Sequence, residues 1–418
     1  MSGFPGFDYR NNELFVESVP LQQIANEYGT PCYVYSRAAL TQAYQAFDAA
    51  FAKRDHLICY AVKANSNIAI LNLFARLGSG FDIVSGGELQ RVIKAGGDPA
   101  KIVFSGVGKN AEEMRLALNA NILCFNVESE AELTVLNQIA QDMGKIAPVS
   151  LRVNPDVDAK THPYISTGLK ENKFGVPAKE AERIYQAAHL YPHIRFTGLD
   201  CHIGSQLTEL EPFLQAGGKM LKLLETLQSQ GLQIEHLDLG GGLGIRYTDE
   251  TPPSIKDYVS ALCAGTQHIK QRLLIEPGRS LVGNSGLLLT RIEYLKHTPA
   301  RNFAIVDAAM NDLMRPALYD AYHDILPVHK NGGEIKSYQV VGPVCETGDF
   351  LGHDRKLSLN DGGLLAVMSA GAYGMSMSSN YNTRPRAAEI MVDRDTVHVI
   401  RRRETITELI AAEQILPQ

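Results

Sequence analysis

The 418-residue sequence lacks any apolar run of the ~18 residues that a membrane-crossing helix needs. Its opening segment, Met1 to Asn12, has neither a basic stretch nor an apolar core, so no secretory signal is expected. A cysteine framework is missing too. Cys32, Cys59, Cys124, Cys201, Cys263 and Cys345 are scattered, with no C-x-x-C pair. Five of them sit in or beside apolar runs, where a cysteine packs as a small hydrophobe. The expectation is a cytoplasmic protein with no disulfide and no structural zinc. There is no HExxH motif, and no metal is expected. The net charge is −6 with both signs mixed, and the densest basic run is Arg401-Arg402-Arg403. That triplet follows an apolar run, as a solvated strand end does, and argues against a nucleic-acid partner.

What is present is ordinary globular composition, 45% hydrophobic and 21% charged. The length exceeds what one core serves, so two domains are expected. Eight short apolar runs punctuate the first part: 57–62, 81–84, 102–104, 122–127, 149–153, 194–199, 236–239 and 272–275. They are rich in Val, Ile, Leu and Phe, as buried parallel strands are. The segments between them are long enough for helical crossovers. Ser85 and Glu88 fit a capping box, and Gly96-Gly97 a helix stop. This pattern predicts a TIM-like (β/α)₈ barrel. After Pro277 the runs (287–292, 303–306, 337–341, 363–368, 389–392, 396–400) follow one another with turns between them. They predict a second domain, an antiparallel β-barrel or sandwich. The expected fold class is therefore α/β plus β. Residues 37–277 would form the barrel, and 1–36 with 278–418 the second domain. A closing helix is expected over 405–416, capped by Thr405 and Glu408. The long, weakly patterned segment 156–175 reads as a mobile loop over a site.

In such a barrel the chemistry sits where strands end. The first run ends in Lys63, which is either snorkelling to solvent or a desolvated amine ready to form a Schiff base. The sixth leads to His202 and Ser205. That histidine is either structural or a flat partner for a flat ligand. The seventh leads into Gly240-Gly241-Gly242, either a tight turn or a loop whose amides nest a phosphate. The eighth ends in Glu276, followed by Gly278 and Arg279. A carboxylate there should face a cation or a ring nitrogen that it keeps protonated. Amine, ring partner, phosphate nest and carboxylate together are what pyridoxal phosphate (PLP) requires. Gly106-Val-Gly108-Lys-Asn-Ala111 matches a dinucleotide fingerprint, but on the third strand rather than the first of a Rossmann unit, which argues against that reading.

At these residues the chain resembles the alanine racemase-like, fold type III family of PLP enzymes, and within it the decarboxylases of meso-diaminopimelate. The matching segments are Tyr60-Ala-Val-Lys-Ala-Asn65, Asp82-Ile-Val-Ser-Gly-Gly-Glu88, Phe104-Ser-Gly-Val-Gly-Lys109, Asn172-Lys-Phe-Gly175, His202-Ile-Gly-Ser-Gln206, Asp238-Leu-Gly-Gly-Gly242, Glu276-Pro-Gly-Arg279, Val344-Cys-Glu-Thr-Gly-Asp349 and Gly371-Ala-Tyr-Gly374. The resemblance implies conversion of the substrate to L-lysine and CO₂, with Lys63 carrying the cofactor. It implies that His202 stacks on the ring with Ser205 nearby, and that Gly240, Gly241, Gly242 and Gly278 hold the phosphate. Glu276 would pair with the pyridinium. Arg279, Arg315 and Tyr319 would bind substrate carboxylates. Cys345 and Glu346 would come from the partner subunit of a homodimer, Glu346 for the distal amine and Cys345 as candidate proton donor, with Lys63 the alternative donor. Tyr373 would contact cofactor and substrate. Relatives with racemase activity place an arginine at the ring nitrogen, so Glu276 favours decarboxylation. Read from its own residues, Arg315 precedes Pro316 and should be extended. It fits a carboxylate clamp or a surface ion pair, and Cys345 could equally be a packing residue. Rival readings are a decarboxylase of ornithine or arginine, a non-enzymatic PLP carrier and a cofactor-free Schiff-base aldolase.

Overall fold

The computed structural model describes residues 4–158 and 173–417. By its internal contacts the chain forms two units, one of 43–245 with 251–281 and one of 1–42, 246–250 and 282–418. Among the described residues, no helix is long and apolar enough to cross a membrane.

The first unit is a closed parallel barrel. Its strands are β1 (His56–Ala61), β2 (Gly80–Ile83), β3 (Ile102–Phe104), β4 (Cys124–Val127), β5 (Ala147–Asn154), β6 (Ile194–Asp200), β7 (His236–Asp238) and β8 (Arg272–Ile275). Each pairs in parallel with the next, and β8 pairs with β1 to close the ring. All eight lie on the runs expected from sequence. Helices follow strands as the crossover rule requires. Ser85, Asn110, Ser129 and Ser254 cap four of them by accepting backbone N–H bonds in the first turn. The capping box at Ser85 is only half formed. Ser85 Oγ accepts from Glu88 N–H, but the Glu88 carboxylate takes the N–H of Val84 instead. Gly96, at φ +82°, ends that helix as expected.

The period of two divides each barrel strand. On one face of β1, Tyr60 packs 4.6 Å from Phe74 of the helix Ile68–Arg76. On the other, Leu57 and Cys59 join Val103, Cys124 and Leu274 in a buried interior cluster. Two residues further along these strands the interior set turns polar: Asp82, Ser105, Asn126, Arg152, Asp200, Asp238 and Glu276, all buried. That layer lies at the C-terminal ends of the strands.

The second unit centres on a seven-strand path in the order Phe350–Leu357, Lys336–Val341, Asn302–Val306, Gly286–His297, Cys32–Ser36, Ala388–Asp393 and Thr396–Arg401. Most neighbours are antiparallel. Two pairs are parallel: Asn302–Val306 with Lys336–Val341, and Cys32–Ser36 with Ala388–Asp393. Parallel neighbours need long connections. The first pair has 307–335 between its strands, and the second has the entire barrel. Leu287, Leu289, Val34, Ala366, Ile390 and Val392 belong to one buried apolar cluster there. The closing helix is shorter than expected. The capping box at Thr405 forms, but the helix covers only Ile406–Ile410. Ile406, Ile410, Ile415 and Leu416 are exposed, so no packed apolar face prolongs it.

Candidate active site

β1 stops at Ala61, and the single 3₁₀ turn Val62–Ala64 carries Lys63 beyond it. Lys63 Nζ lies 2.6 Å from Oδ2 of Asp82, whose side chain is fully buried. The pairing follows from register, because Ala61 is the neighbour of Asp82 across β1 and β2. The ammonium therefore ends on a buried carboxylate, which a lysine merely reaching for water does not.

Around this amine the barrel interior is rich in acid. Oxygens of Asp200, Asp238 and Glu276 lie within 4.8 Å of one another. Burial pushes Asp200 and Glu276 well above the usual carboxylate range, and repulsion from the neighbouring acids adds to it. Burial also raises Asp238. Among the described residues, Asp82 Oδ1, Asp200 Oδ1 and Asp238 Oδ2 are buried without a hydrogen-bond partner. Glu276 Oε1 accepts from Asn126 Nδ2 at 3.3 Å. The nearby guanidinium of Arg152 is engaged 3.0 Å from Glu128. The acids of this layer outnumber its cations, which are Arg152, held by Glu128, and the Lys63 ammonium on Asp82. A ring nitrogen set against Glu276 would be kept protonated by this excess of buried carboxyl groups.

His202 supplies the flat group. Burial, with Arg152 and Lys63 nearby, holds its pKa well below the ordinary value. Its Nδ1 accepts the N–H of Gly241 at 3.1 Å, which places the ring proton on Nε2 of a neutral imidazole. The three glycines turn out to be required by close backbone packing. A Cβ on Gly240 would lie 2.4 Å from the carbonyl oxygen of Cys201, one on Gly241 2.1 Å from that of Glu276, and one on Gly242 2.5 Å from that of Gly204. Gly240 and Gly242 also adopt φ of +67° and +115°. Two of the amides expected for a phosphate are in use, since Gly240 N–H donates to Asp238 Oδ1 and Gly241 N–H to His202. The amide of Gly242 has no acceptor among the described residues. A Cβ on Gly278 would touch the methyls of Ala61 and Ala64 at 3.1 Å. Arg279 is buried and donates from Nη2 to Ser205 Oγ at 3.1 Å.

The other expected residues belong to the second unit. Arg315 is not extended. It opens the short helix Arg315–Tyr319, because Pro316 falls in the first turn, where its missing N–H costs nothing. Nor is it a surface ion pair, being 7% exposed. Its Nη1 is 2.8 Å from His323 Nε2, and its guanidinium lies 4.8 Å from the centre of the Tyr247 ring. Tyr319 is half-buried on the same helix. Tyr373 sits at φ +56°, a conformation that bulky side chains avoid unless the surroundings impose it. Cys345 is exposed rather than packed, and Glu346 beside it is exposed as well. Within the segment 156–175, residues 159–172 lie outside those described. At its end Gly175 N–H donates to Glu128, and Phe174 lies under Arg152.

The sequence reading missed Asp82, Arg152, Asp200 and Asp238 as site residues. The available signal was a charged residue at an interior-facing position of an otherwise apolar strand. The dinucleotide-like segment is structural: Gly106 N–H donates to Glu128 and Asn110 forms a complete capping box with Glu113.

An amine, a buried carboxyl, a neutral imidazole and a close-packed glycine loop thus fit pyridoxal phosphate. Comparison with known proteins agrees. Residues 37–283 match the family described as pyridoxal-dependent decarboxylase, pyridoxal binding domain. The chain is 59% identical to the diaminopimelate decarboxylase of Pseudomonas aeruginosa over 99% of both chains. It superimposes with a TM-score of 0.91 on the Helicobacter pylori diaminopimelate decarboxylase solved with L-lysine, at 45% identity over 94% of this chain and 99% of that one. The M. jannaschii diaminopimelate decarboxylase, also solved with L-lysine, gives a TM-score of 0.95 at 39% identity, covering 100% of this chain and 99% of that one.

Proposed function

The chain belongs to the pyridoxal-dependent decarboxylases, among the diaminopimelate decarboxylases, and from that premise we propose how its own residues share the reaction. It is a carboxy-lyase that converts meso-diaminopimelate to L-lysine and CO₂, the last step of lysine biosynthesis, with pyridoxal phosphate as cofactor. The observation that carries the residue assignment is the placement of the Lys63 amine on the same buried acid layer as Glu276.

When bound, the cofactor supplies an aldehyde that condenses with amines and a protonated ring that accepts the electron pair left by departing CO₂. Lys63 provides the resident amine, and the ion pair with Asp82 aims it. Glu276 holds the proton on the ring nitrogen. The neutral His202 offers a flat face without adding charge beside that nitrogen. Gly242 and Gly278 lead the phosphate contacts of the loop 240–242, and Arg279 fixes Ser205 alongside. Arg279, Arg315 and Tyr319 hold substrate carboxylates, with Tyr373 against both cofactor and substrate. Glu346 takes the distal ammonium, and Cys345 returns a proton to the α-carbon. We place Cys345 and Glu346 in the partner's site of a homodimer. The exposure of both supports this, as does the family resemblance. The chain is assigned to the cytoplasm, where its six unpaired thiols would stay reduced.

One experiment tests both parts. Lys63→Ala should abolish the visible absorbance of the holoenzyme and its activity, and Cys345→Ala should abolish turnover alone. Mixed and reassociated, the two inactive proteins should recover about a quarter of the wild-type rate, because half the dimers carry one intact site. Retained absorbance and activity in Lys63→Ala would refute the amine assignment, and no recovery on mixing would refute the shared site.

A further inference from the structure

Cys345 and Glu346 are exposed, so packing does not fix them. Their backbone is nevertheless well held. Asp349 closes the turn, its carboxylate accepting from Val344 N–H at 2.8 Å and Met310 N–H at 2.6 Å. Asp349 N–H in turn donates to the Glu346 carbonyl at 3.1 Å.

The side chain of Glu346 and the amide of Cys345 are gripped from a different segment, and by consecutive residues. The Tyr381 hydroxyl donates a short hydrogen bond to Glu346 Oε1. Asn382 Oδ1 accepts the Cys345 N–H at 3.0 Å. Asn382 and Thr383 both adopt φ of +56°. Two successive non-glycine residues in the left-handed region mark a conformation imposed by its surroundings.

The anchors are visible on either side. Asn380 Nδ2 donates to the Arg384 carbonyl at 3.0 Å and to Glu404 at 2.8 Å. Ser379 N–H donates to the Asn311 carbonyl at 2.9 Å, and Arg384 Nε to the Asn311 side chain at 2.8 Å. Arg384 also lies 3.5 Å from the buried Asp312. A bolted base thus presents Tyr381 and Asn382 to the two exposed residues.

We propose that Tyr381 and Asn382 form a clasp of positioning residues, in which Tyr381 aims the Glu346 carboxylate at the substrate's distal ammonium and Asn382 sets Cys345 for proton return. The proposal rests on the roles given above to Glu346 and Cys345. A phenol donating to one carboxylate oxygen leaves the other for the ammonium and fixes the carboxylate plane. Losing that aim weakens substrate and transition state alike, which appears in KM. Displacing Cys345 affects a step after binding, which appears in kcat.

The test is steady-state kinetics of the holoenzyme with meso-diaminopimelate. Tyr381→Phe should raise KM about tenfold with kcat within about twofold. Added to Glu346→Gln, it should raise KM no further, because both act through one carboxylate. Asn382→Gly keeps the backbone conformation but removes the acceptor, and should lower kcat about tenfold with little change in KM. Asn382→Asp keeps the acceptor and should retain most of kcat. If Glu346→Gln leaves KM unchanged, the role of Glu346 itself is wrong and the Tyr381 half falls with it. If Glu346→Gln raises KM while Tyr381→Phe does not, or the two effects multiply, the role of Glu346 stands and the Tyr381 half is overturned. An unchanged kcat in Asn382→Gly overturns the other half.

Discussion

Glu276 is the residue on which the electronic argument turns. Burial first, and repulsion from Asp238, Asp82 and Asp200 second, push its carboxyl well above the usual range. Glutamine keeps the shape and loses the charge. Glu276→Gln should lower kcat more than tenfold, about 1.4 kcal/mol or more, since the ring nitrogen would lose its counter-ion. Steady-state turnover measures this, and an unchanged kcat would remove the electron-sink argument. Lys63, His202 and Glu276 were legible in the sequence because each stands at or just beyond a strand end, and in a barrel that position has a meaning of its own, whichever strands are neighbours. Asp82, Asp200 and Asp238 were not, because their meaning depends on register. Only when β6, β7 and β8 are laid side by side do oxygens of Asp200, Asp238 and Glu276 come within 4.8 Å of one another, and only the pairing of β1 with β2 sets Asp82 beside the end of β1. Arg315 was misread for a local reason. The bias of a residue before proline yielded to the proline's own preference for a helix's first turn.

At the scale of elements, Lys109 shows what a phosphate-like fingerprint can be for. Its side chain is 1% exposed, and Nζ lies 2.7 Å from each of Glu132 Oε1 and the carbonyl oxygens of Gly106 and Asn126. It therefore ties the turn after β3 to the end of β4 and to the helix Glu130–Asp142. Lys109→Met should cost roughly 3–5 kcal/mol, because it strands a buried carboxylate and two carbonyls. A denaturant midpoint within error of wild type would contradict that role. Strand positions were largely legible from apolar runs. Phe350–Leu357 and Ile325–Pro327 escaped notice. The first is broken by His353 and Asp354, both exposed, with Asp354 at φ +51°. The second is only three residues long. The closing helix was overestimated, because its apolar residues suggested a face that nothing in the structure covers.

Over the whole molecule the sequence order conceals the architecture. Cys32–Ser36 pairs in parallel with Ala388–Asp393, so two segments more than 350 residues apart are neighbours in one sheet. No local pattern encodes such a pairing. The motifs of the family resemblance, which run from residue 60 to 374, reach neither strand, and the sequence suggested only that residues 1–36 join the second domain. The proposed substrate residues, Arg315 as cation, Tyr319 as neutral hydrogen-bond donor and Glu346 as anion, would suit a substrate with an ammonium and a carboxylate at each end. An ornithine pocket would need only acids. The most direct measurement is CO₂ release and product analysis when purified holoenzyme meets meso-diaminopimelate, L-lysine or L-ornithine. The account predicts one equivalent each of CO₂ and L-lysine from meso-diaminopimelate and negligible CO₂ from the other two. Release from L-ornithine or L-lysine in preference to meso-diaminopimelate, or from none of the three, would contradict it.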